Sequence, residues 1–334
     1  MPRKRKKATI HDVAKAAGVS VATVSRAINN SSNIRPDTLD KVTGAIRALG
    51  YEVLARSGDD GHTKLILLVV PDLENPFYSM IIKGALSTAH RHEYEIFIWQ
   101  CEVRDFTVEE LLNIYHSFNV SGVILSIPTN PAIVQAVDAS IPVVQCCEYS
   151  TETIPYVSID DYQASRMAVE FLINRGRKKI SFINSSPIYK FARERYRGYV
   201  DAMTAAGLEI NPKFVLNMNE ANYEPVISAV SQMVLSENRP DALFAVSDTF
   251  AAAALKAARR NGLKLPDDLY IIGFDNTPIS RLCDPALTTI NQPQFQLGSL
   301  ASEMLLERMH NHHQHRIINF ATLDAELIVR ESTP

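Results

Sequence analysis

Two sets of side chains in this chain have the types and spacing to do chemistry. The first lies in Thr9–Asn30, TIHDVAKAAGVSVATVSRAINN. Read as two short helices, this stretch puts Val21, Ala22, Ser25 and Arg26 on the outer side of the second one, near its N-terminus. An arginine there can fork onto a guanine edge, and Val21 and Ala22 can touch a thymine methyl. Thr9, Ser20, Thr23 and Asn29 complete this set of candidate DNA contacts. The second set lies in the body. Phe77 and Tyr78 follow an apolar run and offer aromatic faces, and Asp248 and Asp275 end apolar runs. The aromatic faces suit a sugar or base, and carboxylates with an arginine, here Arg195, suit a polyol or sugar, whose hydroxyls both donate and accept. The sequence holds no glycine-rich phosphate loop, no nucleophile elbow and no catalytic dyad. No catalytic residue and no cofactor is therefore expected, and the chain is not read as an enzyme.

The first set depends on its helices. Thr9 suits an N-cap, with Asp12 three residues on at the positive helix end. Ile10, Val13, Ala14 and Ala17 then share one face. Gly18 breaks the helix, since glycine tolerates the left-handed conformation of a sharp turn. Ser20 caps the second helix, where Val24 and Ile28 face inward and Val19 plugs the core. An ordinary helical hairpin would show the same spacing. The wording narrows the choice: DVAKAAGVSVATVSRAINN resembles the headpiece of the LacI/GalR repressor family, almost without a break.

Charge supports the same division. The chain has 334 residues and a net charge of only -3. Residues 1–56 hold 11 Lys and Arg against four acidic residues, and the remainder holds 23 basic against 33 acidic. A basic end on an acidic body fits nucleic-acid binding confined to that end and argues against membrane adhesion. The N-terminus, PRKRKKAT, has no apolar core of a signal peptide behind it, and no apolar run reaches 18 residues. A cytoplasmic protein is expected. Cys101, Cys146, Cys147 and Cys283 lie mostly in apolar runs and are expected as buried reduced thiols.

The arm Arg3–Lys7 reads as a phosphate-contacting segment. A third helix is expected from Pro36 to Leu49, with Leu39, Val42, Ile46 and Leu49 on one face and Gly50 ending it. Residues 51–64 form the linker. Ala55-Arg56-Ser57 resembles the family's hinge, whose leucine wedges into the minor groove on binding. Here the wedge position holds Gly58, followed by Asp59 and Asp60, and the linker is about two residues short. Leu54 can substitute in a shifted register, so Leu54 and Arg56 join the DNA-contact candidates. The expected hinge is weak, with specificity leaning on the second helix.

From Leu65 the period changes. LILLVV, EIFIWQ, GVILSI and VVQCC alternate with helical stretches, and the series repeats with KISFINS, ALFAVS and LYIIGFD. Continuous apolar strands alternating with helices mean parallel sheets covered on both faces. The expected fold is an all-α helix-turn-helix headpiece (1–51), a hinge (52–64) and a two-lobed α/β domain with parallel sheets (65–334). Family resemblance implies the periplasmic-binding-protein-like architecture for this domain. It places the first lobe at about 65–158 and 291–318 and the second at about 159–290 and 319–334, with crossovers near Val157–Asp161, Thr289–Pro293 and Asn319–Leu323.

Ligands of open α/β sheets bind beyond the carboxyl ends of strands. The resemblance implies that Arg195 grips effector hydroxyls or a carboxylate, that Asp275 accepts from ligand hydroxyls, and that Asp160 lies at a crossover. Tyr189 and Phe191 stand where purine-responsive members carry arginine and threonine, which argues against a purine base. Glu148-Tyr149, Ile154-Pro155 and the stretch from Ser280 to Pro285 resemble the family's cytidine-repressor branch. Tyr223 is a candidate stacking platform. A pyrimidine nucleoside or a sugar is the expected effector. The competing plain readings are surface charge for Arg195, helix capping for Asp248 and Asp275, and lobe core for Phe77 and Tyr78.

His310, His312, His313 and His315 lack the Cys or carboxylate partners of a metal site, so no metal is expected. A headpiece this small makes few phosphate contacts. A homodimer reading a pseudo-palindromic operator is therefore expected. The competing reading is a small-molecule binding protein or a sugar-modifying enzyme with an incidental N-terminal domain. Arg26 tests the recognition-helix assignment. Arg26→Ala is expected to cost about 1–3 kcal/mol at one base pair per half-site. Binding measured over a duplex series varied at each position would show that loss at one position; uniform weakening would reduce Arg26 to a phosphate contact.

Overall fold

The protein is described here by a computed structural model covering residues 9–21, 23–24, 27, 34–49, 64–218, 223–310 and 320–334. Ala22, Ser25, Arg26, Asn29, Leu54 and Arg56 lie outside these residues, as do the basic arm, Gly58–Asp60 and His312–His315. Two separate units are present, divided between His62 and Thr63.

In the headpiece, the helix Ile10–Ala17 opens with a reciprocal capping box. Thr9 Oγ1 accepts from the Asp12 N–H at 3.4 Å, and Asp12 Oδ2 accepts from the Thr9 N–H at 2.9 Å. Gly18 ends the helix at φ 68°, with its N–H on the Ala14 carbonyl. Ser20 Oγ then accepts from the Thr23 N–H at 3.1 Å, capping the next helical residues Val21, Thr23, Val24 and Ala27. Val13, Ala14, Val24 and Ala27 pack with Val42 and Ala45 of the helix Pro36–Leu49. Val21 is half-buried against this cluster rather than lying wholly on the outer side, and Leu49 is exposed rather than on the shared face.

Among the described residues, the larger unit holds two six-stranded sheets. The first contains β1 (Leu65–Val70), β2 (Glu95–Gln100), β3 (Gly122–Leu125), β4 (Val143–Cys146), β5 (Tyr156–Ile159) and β11 (Phe320–Leu323), in the order β11-β5-β4-β3-β1-β2. Every pairing in it is parallel. The second contains β6 (Ile180–Asn184), β7 (Val215–Asn217), β8 (Ala242–Ala245), β9 (Tyr270–Asp275), β10 (Thr288–Asn291) and β12 (Glu326–Ile328), in the order β12-β10-β9-β8-β6-β7. There β12 runs antiparallel to β10. The strands are short apolar runs because helices cover them on both faces. Residues 320–323 pair with β5 in the first sheet, not in the second lobe as expected, so the third crossing falls at Asp324 and Ala325.

Glycines set the helix spacing in each lobe. In the first, Gly84 of the helix Pro76–Arg91 and Gly298 of the helix Gln294–His310 sit backbone to backbone. A Cβ on either would come 2.0 Å from Phe295 O or Ile81 O. In the second, Gly198 lets the helix Lys190–Ala205 approach the helix Asp161–Asn174. A Cβ at Gly198 would lie 2.4 Å from Tyr162 O.

Asp248 belongs to this framework rather than to a ligand site. It opens the helix Asp248–Arg260 and is fully buried. Its carboxylate accepts from Thr277 N at 2.6 Å, Thr277 Oγ1 at 3.0 Å and Thr289 Oγ1 at 2.6 Å, tying that helix to β10 and to the loop after β9. Burial raises its pKa to about 6 despite these donors.

Two expectations follow from this packing. Gly198→Ala forces a backbone clash and is expected to cost about 1–3 kcal/mol; an unchanged melting temperature would contradict the close approach. Asp248 binds its proton more tightly in the folded than in the unfolded chain. Its contribution therefore falls as pH rises from about 4 to about 6 and is level above. Melting temperatures of the native chain and Asp248→Asn, compared across that window, are expected to diverge against the native chain as pH rises. Parallel curves would refute the shift.

Candidate effector site

The carboxyl ends of the strands in both sheets open onto one cleft with about 450 Å³ of empty space, mouth included. Each contributing side chain is placed by its local chain path. After β1, Asn75 Oδ1 accepts from the Phe77 N–H at 3.0 Å and starts the helix Pro76–Arg91, whose first turn buries Phe77 and Tyr78. The two rings meet edge to face, with centroids 5.1 Å apart, and line the cleft.

After β4, Cys147 takes a left-handed conformation at φ 68°. This turn directs Glu148 toward the N-terminus of the helix Lys190–Ala205. Glu148 Oε2 accepts from the Lys190 N–H at 2.7 Å and Oε1 from the Phe191 N–H at 3.2 Å. Tyr189, at the N-cap position, makes no side-chain cap bond, so a carboxylate from the other lobe caps this helix. Burial raises the Glu148 pKa, with Lys190 and the two N–H groups opposing.

Asp161 is the centre of the charge arrangement. Its Oδ2 lies 2.8 Å from Lys190 Nζ, and its Oδ1 lies 2.9 Å from Arg195 Nε and 2.8 Å from Arg195 Nη2. Side-chain exposure is 3% for Asp161, 9% for Lys190 and 5% for Arg195. Burial alone would push the Asp161 carboxyl up, but Lys190 and Arg195 hold it below the usual carboxylate range. Burial likewise works against the Lys190 ammonium, and Asp161 and Glu148 outweigh it, so its pKa is raised. Arg195 Nη1 also donates to the Val246 carbonyl at 2.7 Å, and its guanidinium carbon lies 3.4 Å from the Phe274 ring centroid. Lys190 Nζ donates to Ser158 Oγ at 2.8 Å.

Opposite, Asp275 ends β9 at φ 102°. Gln292 Nε2 donates to its Oδ1 at 2.7 Å, and the Gln294 side-chain amide donates to its backbone carbonyl. Asp275 and Gln292 both line the cleft.

Of the sequence candidates, Phe77, Tyr78, Glu148, Arg195 and Asp275 thus meet in one cleft. Four others do not. Asp160 is exposed, and its Oδ1 caps the next helix by accepting from the Gln163 N–H at 2.9 Å. Tyr189 packs its ring 5.2 Å from Phe191 outside the lining. Tyr223 is 50% exposed and Asp248 is framework; neither lines the cleft. Asn75, Asp161, Ser247 and Gln292 line it without having been singled out, and Phe191, read from the sequence only as a position that argues against a purine base, lines it too. A signal for Asp161 was available. It shares the spacing of Ala164, Ser165, Ala168 and Leu172, the buried face of its helix, whereas Asp160 precedes that face.

Among the described residues, no helix is long and apolar enough to cross a membrane. The sequence signature described as bacterial regulatory proteins, lacI family, matches residues 9–52. That of a periplasmic binding protein-like domain matches residues 169–333. The HTH-type transcriptional repressor CytR of Escherichia coli (strain K12) is 34% identical over 332 residues, covering 98% of this chain and 96% of the relative. Catabolite control protein A of Priestia megaterium is 33% identical over 309 residues, covering 90% and 92%. In structure, the complex of the transcriptional regulator CelR with cellobiose superposes with a TM-score of 0.73 at 28% identity, over 97% of this chain and 99% of that one. With the headpiece, the two sheets and the cleft at their strand ends, this places the chain in the LacI family of bacterial regulatory proteins, as a ligand-controlled DNA-binding transcriptional regulator.

Proposed function

We propose that the effector is a polyhydroxylated molecule with a flat face, a pyrimidine nucleoside in first place and a free sugar in second. The supporting observation is that the Phe77, Tyr78 and Phe191 rings line the same cleft as the Asp275 carboxylate and Arg195. Aromatic faces accept a planar base or the apolar face of a sugar ring, and carboxylate and guanidinium address its hydroxyls. The cellobiose held by CelR is a polyol of the second kind.

The site residues in this reading are Phe77, Tyr78, Glu148, Asp161, Arg195 and Asp275 for the effector. For DNA they are Thr9, Ser20, Val21, Ala22, Thr23, Ser25, Arg26 and Asn29 of the headpiece, with Leu54 and Arg56 of the hinge. The protein acts in the cytoplasm as a homodimer on a pseudo-palindromic operator, without catalysis. Effector binding changes operator affinity because the ligand favours one arrangement of the lobes, and the two headpieces read that arrangement.

The test uses the full chain and an operator selected from random duplexes. Operator affinity is expected to fall steeply with salt, by roughly 0.9 logarithmic units per decade for each phosphate neutralised. A panel of nucleosides, pentoses and hexoses is then screened by thermal shift. The true effector raises the melting temperature and changes operator affinity at the same concentrations. A panel with no member doing both overturns the effector assignment, and equal affinity for operator and random DNA overturns the operator assignment.

A further inference from the structure

The two cations at the cleft, Arg195 on its lining and Lys190 beside it, are already paired. Asp161 holds Lys190 through one oxygen and Arg195 through the other, all within 2.9 Å. What remains of Lys190 faces Ser158 Oγ and the Tyr149 ring, 4.6 Å from its centroid. Arg195 is further held by the Val246 carbonyl, and its planar face is covered by Phe274. The other charged groups on the lining, Glu148 and Asp275, are both acidic. An entering anion would meet three carboxylates and a single cation, Arg195, which Asp161 already holds, while Lys190 is bonded to Asp161 off the lining. It would also lose its water, a penalty that an unpaired cation or free N–H donors would have to offset, and the Lys190 and Phe191 N–H groups already donate to Glu148.

We propose that Asp161 is a specificity-determining residue, which pairs with Lys190 and Arg195 and, together with Glu148 and Asp275, leaves the cleft without excess positive charge, so that it admits uncharged polyols and rejects their phosphorylated or carboxylated analogues. This rests on the reading of the cleft as the effector site. Without the Asp161 carboxylate, the same two side chains form a buried dicationic pair that an anion would complete. Selectivity against anions is therefore set by a residue paired to the cations rather than by their absence.

Matched probes on the full chain test this: uridine with uridine 5′-monophosphate, ribose with ribose 5-phosphate, and inorganic phosphate. For the native chain, each phosphorylated probe is expected to bind at least about 100-fold more weakly than its partner, the scale of a like-charge contact in a desolvated site. Inorganic phosphate is expected to leave the native melting temperature unchanged. Asp161→Asn is expected to gain at least about 10-fold in phosphate affinity, the scale of one charge-assisted contact, with a saturable rise in melting temperature. A native chain that binds a phosphorylated probe as tightly as its partner overturns the proposal. So does a folded Asp161→Asn chain with no gain for phosphate. Should Asp161→Asn fail to fold, Lys190→Gln decides. It leaves Asp161 with Arg195 alone and makes the cleft more acidic, so phosphate stays excluded; tighter phosphate binding overturns the proposal. Silence of uridine and ribose on the native chain, with the phosphate gain of Asp161→Asn intact, would count against the polyol effector while upholding the role of Asp161.

Discussion

A single buried carboxylate, Asp161, answers two buried cations, and much of the second lobe is arranged to keep it there. Leaving one member of such a set unpaired costs on the order of 3–5 kcal/mol. The helices carrying the three groups must therefore hold their distance closely. Gly198 removes the Cβ that would separate them, and Ser165 Oγ donates to the Arg195 carbonyl at 2.6 Å across the same contact. Small residues on one helix face are thus the means by which an ion network one turn away stays closed. Glu148 adds a restraint from the first lobe, since its two bonds end on the helix that bears Lys190 and Arg195.

The parallel sheets explain why the site lies where it does. Parallel strands deliver all their carboxyl ends to one side, so two such sheets facing each other make a cleft with loops from both. The loops then have little room to turn. Cys147 and Asp275 meet this by adopting positive φ just where β4 and β9 end. Non-glycine residues held there carry strain of order 1–3 kcal/mol, which surrounding bonds must offset. At Asp275 those bonds come from Gln292 and Gln294, and after Cys147 from the Ser158 hydroxyl, which donates to the Cys147 carbonyl at 2.9 Å.

How much of this could be read from the chain depended on which physical signal was local. The strand runs were legible because burial on both faces makes them continuously apolar. The headpiece was legible because Thr9, Gly18 and Ser20 act within four residues of themselves. The helix Gln294–His310 was not anticipated as an element. It buries Leu297, Gly298, Ala301, Ser302, Met304, Leu305 and Leu306, a mixture of small and polar residues among apolar ones that dilutes the helical pattern. Asp160 and Asp161 are adjacent carboxylates, and only the helix phase separates cap from cleft. Asp248 and Asp275 both follow strands, yet the hydroxyls of Thr277 and Thr289 close over Asp248. Those partners lie 29 and 41 residues away, beyond the reach of any pattern in a short window.

The crossing after β10 joins site and architecture most directly. Gln292 sits in that crossing, between β10 of the second sheet and the helix Gln294–His310 that packs on the first lobe. Its side chain bonds the Asp275 carboxylate, and the next polar residue, Gln294, bonds the Asp275 backbone. In the proposed reading, a ligand hydroxyl that competed for Asp275 would act directly on a segment that joins the lobes. Coupling between two sites requires that the ligand interact differently with two arrangements of a bistable element. In the proposed reading, Gln292, bonded to the Asp275 carboxylate from within the lobe crossing, is placed to carry such a coupling.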